Sequence, residues 1–204
     1  MNHRIYVISG PSGVGKSTII KTLRKKIESL AYSISHTSRR PRGPEKNGKD
    51  YHFVDRDAFE KMAGEGAFVE WAEVYGDLYG TSFESLRSQL DQGDNVILDI
   101  DTQGAGNIKA HFKESVLIFV LPPSLEELEK RLKHRATEHE EAIRKRIDRA
   151  AKEIQNCQWY DYLVINDDLN HAIKEAESII IAEGCRTSQR LPMIRHTFNL
   201  NIKS

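Results

Sequence analysis

The sequence is poor in the features that would assign it to several large classes of protein. Two cysteines occur in 204 residues, Cys157 and Cys185, without the close pairing of a zinc knuckle or a redox C-x-x-C. They read as two reduced thiols of a cytoplasmic protein. The first apolar run, Ile5 to Ile8, is far too short for the core of an export signal, and no later run approaches the roughly 20 residues of a membrane span. A cytoplasmic location and no membrane partner are therefore expected. Excess charge is missing too. Lys and Arg total 30 and Asp and Glu total 30, so no overall field draws nucleic acid, and anions must be bound by local clusters. There is no internal repeat and no low-complexity tract.

What remains is a length suited to one α/β domain with a full core and room for small inserts. Four short apolar segments read as buried strands: Ile5 to Ile8, Val96 to Leu98, Val116 to Leu121 and Tyr162 to Ile165. Patterns of helical period lie between them, as in Ser17 to Leu30 and Ser124 to Gln155. Strands apolar on both faces that alternate with helices imply a parallel sheet covered on both sides. Two stretches interrupt this rhythm. Residues from about His36 to Tyr79 start as a basic loop with Pro and Gly and continue through aromatic segments, which reads as an insert with its own strands. Residues from about Glu126 to Arg149, bounded by Pro122-Pro123, are highly charged and read as a helical hairpin. After Gly184 the chain turns polar, and a peripheral helix or a loose tail is expected.

Gly10-Pro11-Ser12-Gly13-Val14-Gly15-Lys16-Ser17, followed by Thr18, matches G-x-x-x-x-G-K-[ST] directly between a strand and a helical pattern. Glycines at positive φ let successive N–H groups face a phosphate, and the next helix presents its positive end to the same anion. Lys16 is expected to reach the β- and γ-oxygens of ATP, and Ser17 to ligate Mg2+. No N-K-x-D motif of regulatory GTPases is present. The length suits small nucleoside and nucleotide kinases, which carry an acceptor-binding insert and a charged lid.

The run Ser35-His36-Thr37-Ser38-Arg39-Arg40-Pro41-Arg42-Gly43-Pro44-Glu45 to Asp50-Tyr51-His52-Phe53-Val54 resembles the signature of guanylate kinases. The resemblance continues through Glu70-Trp71, Tyr79-Gly80-Thr81, Ile97-Leu98-Asp99-Ile100-Asp101, the charged lid and Asn166-Asp167-Asp168-Leu169. It implies a P-loop NTPase-type parallel core with helices on both faces, a GMP-binding insert and a helical lid. The expected division is a single domain: core at about 1–34, 82–125 and 150–184, insert at 35–81, lid at 126–149 and tail at 185–204. ATP and GMP, with dGMP beside it, are the implied substrates; a homo-oligomer is compatible with this.

The chemistry of the residues points the same way. Guanidinium forks bind a nucleotide phosphate bidentately, and Arg39 and Arg42 are the candidates. Tyr51 and Tyr79, which taken alone read first as core aromatics, can add hydroxyl donors. Guanine offers N1–H and N2–H donors to a carboxylate and an O6 acceptor to a hydroxyl; Glu70 is the carboxylate, Ser35 and Thr81 the hydroxyls. Strand alternation sets Glu70 opposite Val69. Asp99 and Asp101, on one face of a strand end, are acids for the metal or the transferring phosphate, and their roles stay undivided. The resemblance matches Asp101 to the acceptor side and Asp99 to a Walker-B-like position. Arg131 and Arg135 stand four apart; Arg135 and Arg146 match the lid arginines of the family, whereas Arg144 and Lys145 read as a solvated face. Asn166 is a candidate on the adenine side. Catalysis is thus expected from Lys16, Arg39, Asp101, Arg135 and Arg146. Three departures stand out: Pro44 before Glu45, Thr81 where serine is common, and His134-Arg135-Ala136 where glycine often flanks the arginine.

A ribose bisphosphate kinase is the nearest rival and has no need of the guanine-reading set. A phosphopeptide-binding scaffold of guanylate-kinase type usually lacks the ATP loop.

Overall fold

The structure is a computed structural model and describes residues 4–74, 76–134 and 140–199. In chain order its elements are β1 (Ile5–Ser9), α1 (Lys16–Lys26), β2 (Leu30–Tyr32), β3 (His36–Thr37), β4 (His52–Phe53), α2 (Arg56–Gly64), β5 (Phe68–Val74), β6 (Asp77–Ser82), α3 (Phe83–Asp91), β7 (Asn95–Asp99), α4 (Thr102–His111), β8 (Val116–Leu121), α5 (Leu125–His134), α6 (Glu140–Ile154), β9 (Tyr162–Ile165), α7 (Leu169–Gly184) and α8 (Thr187–Phe198). They fall into two compact units. One comprises Arg4–Ser9 and Glu28–Leu117, the other Gly10–Ile27 and the chain from Ile118 onward.

In the first unit β2, β7 and β1 pair in parallel in that order, with Leu30 opposite Asn95 and Ile5 opposite Val96. Val7, Ile8, Val96 and Ile97 are fully buried, as expected for strands covered on both faces. Leu30 was expected at the end of a helix. Instead α1 stops at Lys26, because Ile27 turns extended, and buried Leu30 opens a three-residue strand too short to show a period of its own. The insert forms its own sheet in the order β4-β3-β6-β5. A small core of Phe59, Phe68 and Leu78 backs it, with the rings of Phe59 and Phe68 stacked at 4.5 Å.

In the second unit β8 and β9 pair in parallel, from Ile118 opposite Tyr162 to Leu121 opposite Ile165. The expectation that β9 is buried on both faces is corrected: Leu163 and Ile165 are 50% and 51% exposed. β9 pairs along one edge only, and α7 covers its other face, where Val164 is fully buried. The charged stretch is a helical hairpin, α5 against α6, held by Leu128, Leu132, Ile143 and Ala150. After Gly184 the chain forms the helix α8 as far as Phe198. Cys157 and Cys185 are free thiols, and no helix among the described residues is long and apolar enough to cross a membrane.

Candidate active site

In the second unit the loop before α1 has the geometry of an anion cradle. Gly10, Gly13 and Gly15 have φ of 139°, 90° and 102°, which L side chains rarely adopt. Gly10 is also required by space, since a Cβ there would lie 2.2 Å from the carbonyl oxygen of Val120. α1 has no capping side chain and no acidic residue in its first turn, whereas Asp55, Ser82, Asp101 and Asp168 cap α2, α3, α4 and α7. The positive end of α1 is thus left without a countercharge from its own first turn. Pro11 and Val14 are buried; Ser12, Ser17 and Thr18 are exposed. Lys16 Nζ donates to the carbonyls of Gly10 at 2.6 Å and Pro11 at 3.3 Å. A cavity of about 440 Å³ opens beside the loop, lined by Gly13, Gly15, Thr18, Arg131, Asn166 and Asp167 among others. Buried Asn166 donates from Nδ2 to the carbonyl of Val14 at 2.7 Å, so its amide fixes the loop's shape from within the cavity wall.

The acceptor candidates all lie in the first unit. Glu70, on β5, is 9% exposed and accepts a hydrogen bond of 2.5 Å from the hydroxyl of Thr81, directly opposite on β6. Burial pushes its carboxyl above the usual range, partly offset by the Thr81 bond, while the nearby charge of Asp101 pushes the same way as burial. Simple alternation with Val69 fails here. A bulge between Phe68 and Glu70 adds a residue to the strand, and Phe68, Val69 and Glu70 are all buried.

Arg39 is 7% exposed, and both ends of its fork are engaged. Nη1 and Nη2 donate to the two carboxylate oxygens of Glu45, each at 2.9 Å, and Glu45 also accepts from the backbone N–H of Arg42 at 2.7 Å. The Glu45 carboxylate holds the guanidinium's pKa above its usual value, and the bonds from Arg39 and from the Arg42 N–H hold that of Glu45 below the usual carboxylate range. The guanidinium lies 5.3 Å from the centre of the Tyr51 ring, which meets Tyr79 edge-on at 6.0 Å. Arg39, Tyr51 and Tyr79 are therefore one cluster, whereas the Arg42 side chain is exposed. Ser35, half-buried, precedes β3.

Asp99 ends β7 and is half-buried. Asp101 does not continue that strand: it caps α4, accepting from the N–H of Gly104 at 2.9 Å. Period two therefore does not relate the two aspartates. Buried Ser9 donates to the carbonyl of Ile100 at 2.8 Å and ties this turn to the end of β1.

A buried carboxylate held by a hydroxyl, an arginine–tyrosine cluster and a P-loop now stand in one chain. The guanylate kinase family model matches residues 2–183. Guanylate kinases from Geobacter metallireducens and Syntrophotalea carbinolica are 44% and 47% identical over 196 and 188 residues, covering 96% and 92% of this chain and 97% and 90% of theirs. The crystal structure of guanylate kinase from Anaplasma phagocytophilum superposes with a TM-score of 0.76 at 34% identity, covering 98% of this chain and 97% of that one. The chain belongs to the guanylate kinase family.

Of the lid arginines expected from the family resemblance, Arg146 lies half-buried on α6, while Arg135 falls outside the described residues. Arg144 and Lys145 are exposed, as a solvated face requires, and Lys145 pairs with Glu141 at 2.9 Å. Two residues named in the sequence without an assigned role, Arg131 and Glu45, have definite surroundings in the structure. Arg131 lines the P-loop cavity, and its four-residue spacing from Arg135 was the available signal. Glu45 closes on Arg39 despite the Pro44 that precedes it. A larger open groove of about 870 Å³ runs along α3 past Phe83, Glu84, Arg87 and Ser88, and none of the candidate site residues lines it.

Proposed function

We propose that this chain transfers the γ-phosphate of ATP to GMP, giving ADP and GDP, and that dGMP is a second acceptor. The observation that carries this is the buried Glu70 carboxylate held by Thr81, in a chain of the guanylate kinase family with an intact P-loop. As a carboxylate it accepts from both N1–H and the N2 amino group of guanine. Adenine offers neither pair, so the buried charge would stay unpaired, and discrimination of about 10⁴ or more follows for such a polar site. The Thr81 hydroxyl has one proton, which it donates to Glu70, and this supports Ser35 rather than Thr81 as the proposed donor to O6.

Arg39, through the N–H donors that it does not give to Glu45, receives the GMP phosphate with Tyr51 and Tyr79, and Arg42 adds its exposed fork. Residues 35–81 form the acceptor insert and 126–149 the lid, in a single domain. On the donor side residues 10–18 cradle the ATP phosphates, Lys16 leaves the loop carbonyls for the phosphate oxygens, and Asn166 holds the loop. A GMP phosphate oxygen bonds to the γ-phosphorus as the bond to the bridging β-oxygen breaks, and that electron pair leaves with ADP. Lys16, Arg39, Arg135 and Arg146 offset the charge on the transferring group, and Asp101 orients the acceptor. The Ser17 hydroxyl and the Asp99 carboxylate are hard oxygen donors of the type Mg2+ takes, one or two from protein and the rest from phosphates and water. When bound, Mg2+ would supply charge neutralisation to the transferring phosphate. The compartment is the cytoplasm.

A coupled assay across GMP, dGMP, AMP, UMP and CMP tests the assignment; equal rates with AMP and GMP would sink it. Glu70→Gln is expected to raise the GMP KM strongly and leave that of ATP near the parent's.

A further inference from the structure

Helix α4 carries two glycines near its start, Gly104 and Gly106. Neither has a positive φ, so the backbone demands glycine at neither position. Glycine within a helix is less favourable than alanine, so each needs a reason outside the helix or has none. Their surroundings differ. A Cβ on Gly106 meets no heavy atom within 4 Å, whereas one on Gly104 lies 3.0 Å from Oε2 of Glu70 and 3.3 Å from its Cδ and Cγ. Buried Gly104 thus sits against the carboxylate through bare backbone, its own N–H already given to Asp101.

The two ends of the carboxylate are held in different ways. Thr81 fixes Oε1 by a hydrogen bond, and the space left at Gly104 admits Oε2. Thr81 lies in a paired strand and α4 packs on β5, so neither wall yields easily. A methyl at position 104 is therefore relieved by the carboxylate, which must move by a few tenths of an ångström. A carboxylate accepting two parallel N–H bonds has to keep both oxygens in the plane of the base, and hydrogen bonds weaken steeply off line.

We propose that Gly104 is a specificity-determining positioning residue, whose missing side chain leaves the space in which the Glu70 carboxylate keeps its guanine-reading orientation. The proposal rests on Glu70 being the guanine acceptor. It is tested by Gly104→Ala and Gly106→Ala side by side in the full chain. Both substitutions favour the helix, so both are expected to hold or raise Tm. Gly106→Ala should match the parent in kinetics. Gly104→Ala should raise the GMP KM by about tenfold, scaled from the 100-fold that a 1 Å misplacement can cost, with ATP KM unchanged and the GMP-over-AMP preference reduced by the same factor. Equal GMP KM values in the two variants would overturn the proposal. So would a fall in Tm with parallel losses for ATP and GMP, which is the mark of general helix damage. Glu70→Gln separates the two layers of argument. If it leaves GMP use intact, the reading of Glu70 fails; if it impairs GMP use while Gly104→Ala does not, only the role of Gly104 fails. On the Glu70→Gln background Gly104→Ala should cost much less, since the two act as a unit.

Discussion

Replacing Thr81 by Val removes one hydroxyl and keeps the shape. Thr81 is fully buried, and its Oγ1 donates at 2.5 Å to a carboxylate that is 9% exposed, so water cannot take the vacated place easily. A hydrogen bond to a charged group contributes about 1.5–3 kcal/mol, equivalent to about 10- to 100-fold in an equilibrium. The GMP KM of Thr81→Val should rise by about that factor, with ATP KM unchanged. The pH profile tests the cause. Burial already raises the Glu70 pKa, and the Thr81 bond is the main effect lowering it. Without that bond the pKa goes further up. Guanine requires the carboxylate, so kcat/KM for GMP falls as pH drops through the Glu70 pKa, and in Thr81→Val this acid limb should move to higher pH. Thr81→Ser keeps the donor and serves as control. Steady-state kinetics of the three proteins from acid to neutral pH suffice. If Val and Ser variants share the same acid limb and GMP KM, the hydroxyl is not what keeps Glu70 ionised, and the reasoning fails.

Two further predictions concern other parts of the molecule. Asn166→Ala leaves the carbonyl of Val14 without its buried amide, a loss of about 1–3 kcal/mol; the ATP KM should rise by roughly tenfold or more while the GMP KM stays put, and an unchanged ATP KM would show that the loop holds its shape without Asn166. His36 stacks on His52 at 4.7 Å, and burial, then the charge of His52, lowers its pKa against a weaker opposing pull from Glu84. Below its ordinary value of 6.5 the unfolded chain binds the proton more readily than the folded one, so Tm should fall as pH drops through that value, and His36→Asn should flatten the slope.

The P-loop was legible residue by residue because its function depends on backbone conformation near one point in the chain, and glycine spacing writes that conformation directly into the order of residues. The arginines, tyrosines and Glu70 could be named as candidates because they stand at the positions of the family signature and are of the chemical types that a guanine and a phosphate would take. Their states were not legible. That Arg39 is already clasped by Glu45 follows from the path of the loop between β3 and β4, that Thr81 donates its proton to Glu70 from the pairing of β5 with β6, and that Asp101 caps a helix rather than ending a strand from the start of α4. A bulge at Glu70 shifts the register by one residue, which local alternation cannot anticipate because the partner strand sets it. Exposure behaves likewise. Tyr162 to Ile165 has the composition of a buried strand, yet its position at a sheet edge leaves Leu163 and Ile165 half exposed. Gly104 is the extreme case: nothing beside it in the chain asks for glycine, and only the Glu70 carboxylate, brought against it by folding, supplies the reason.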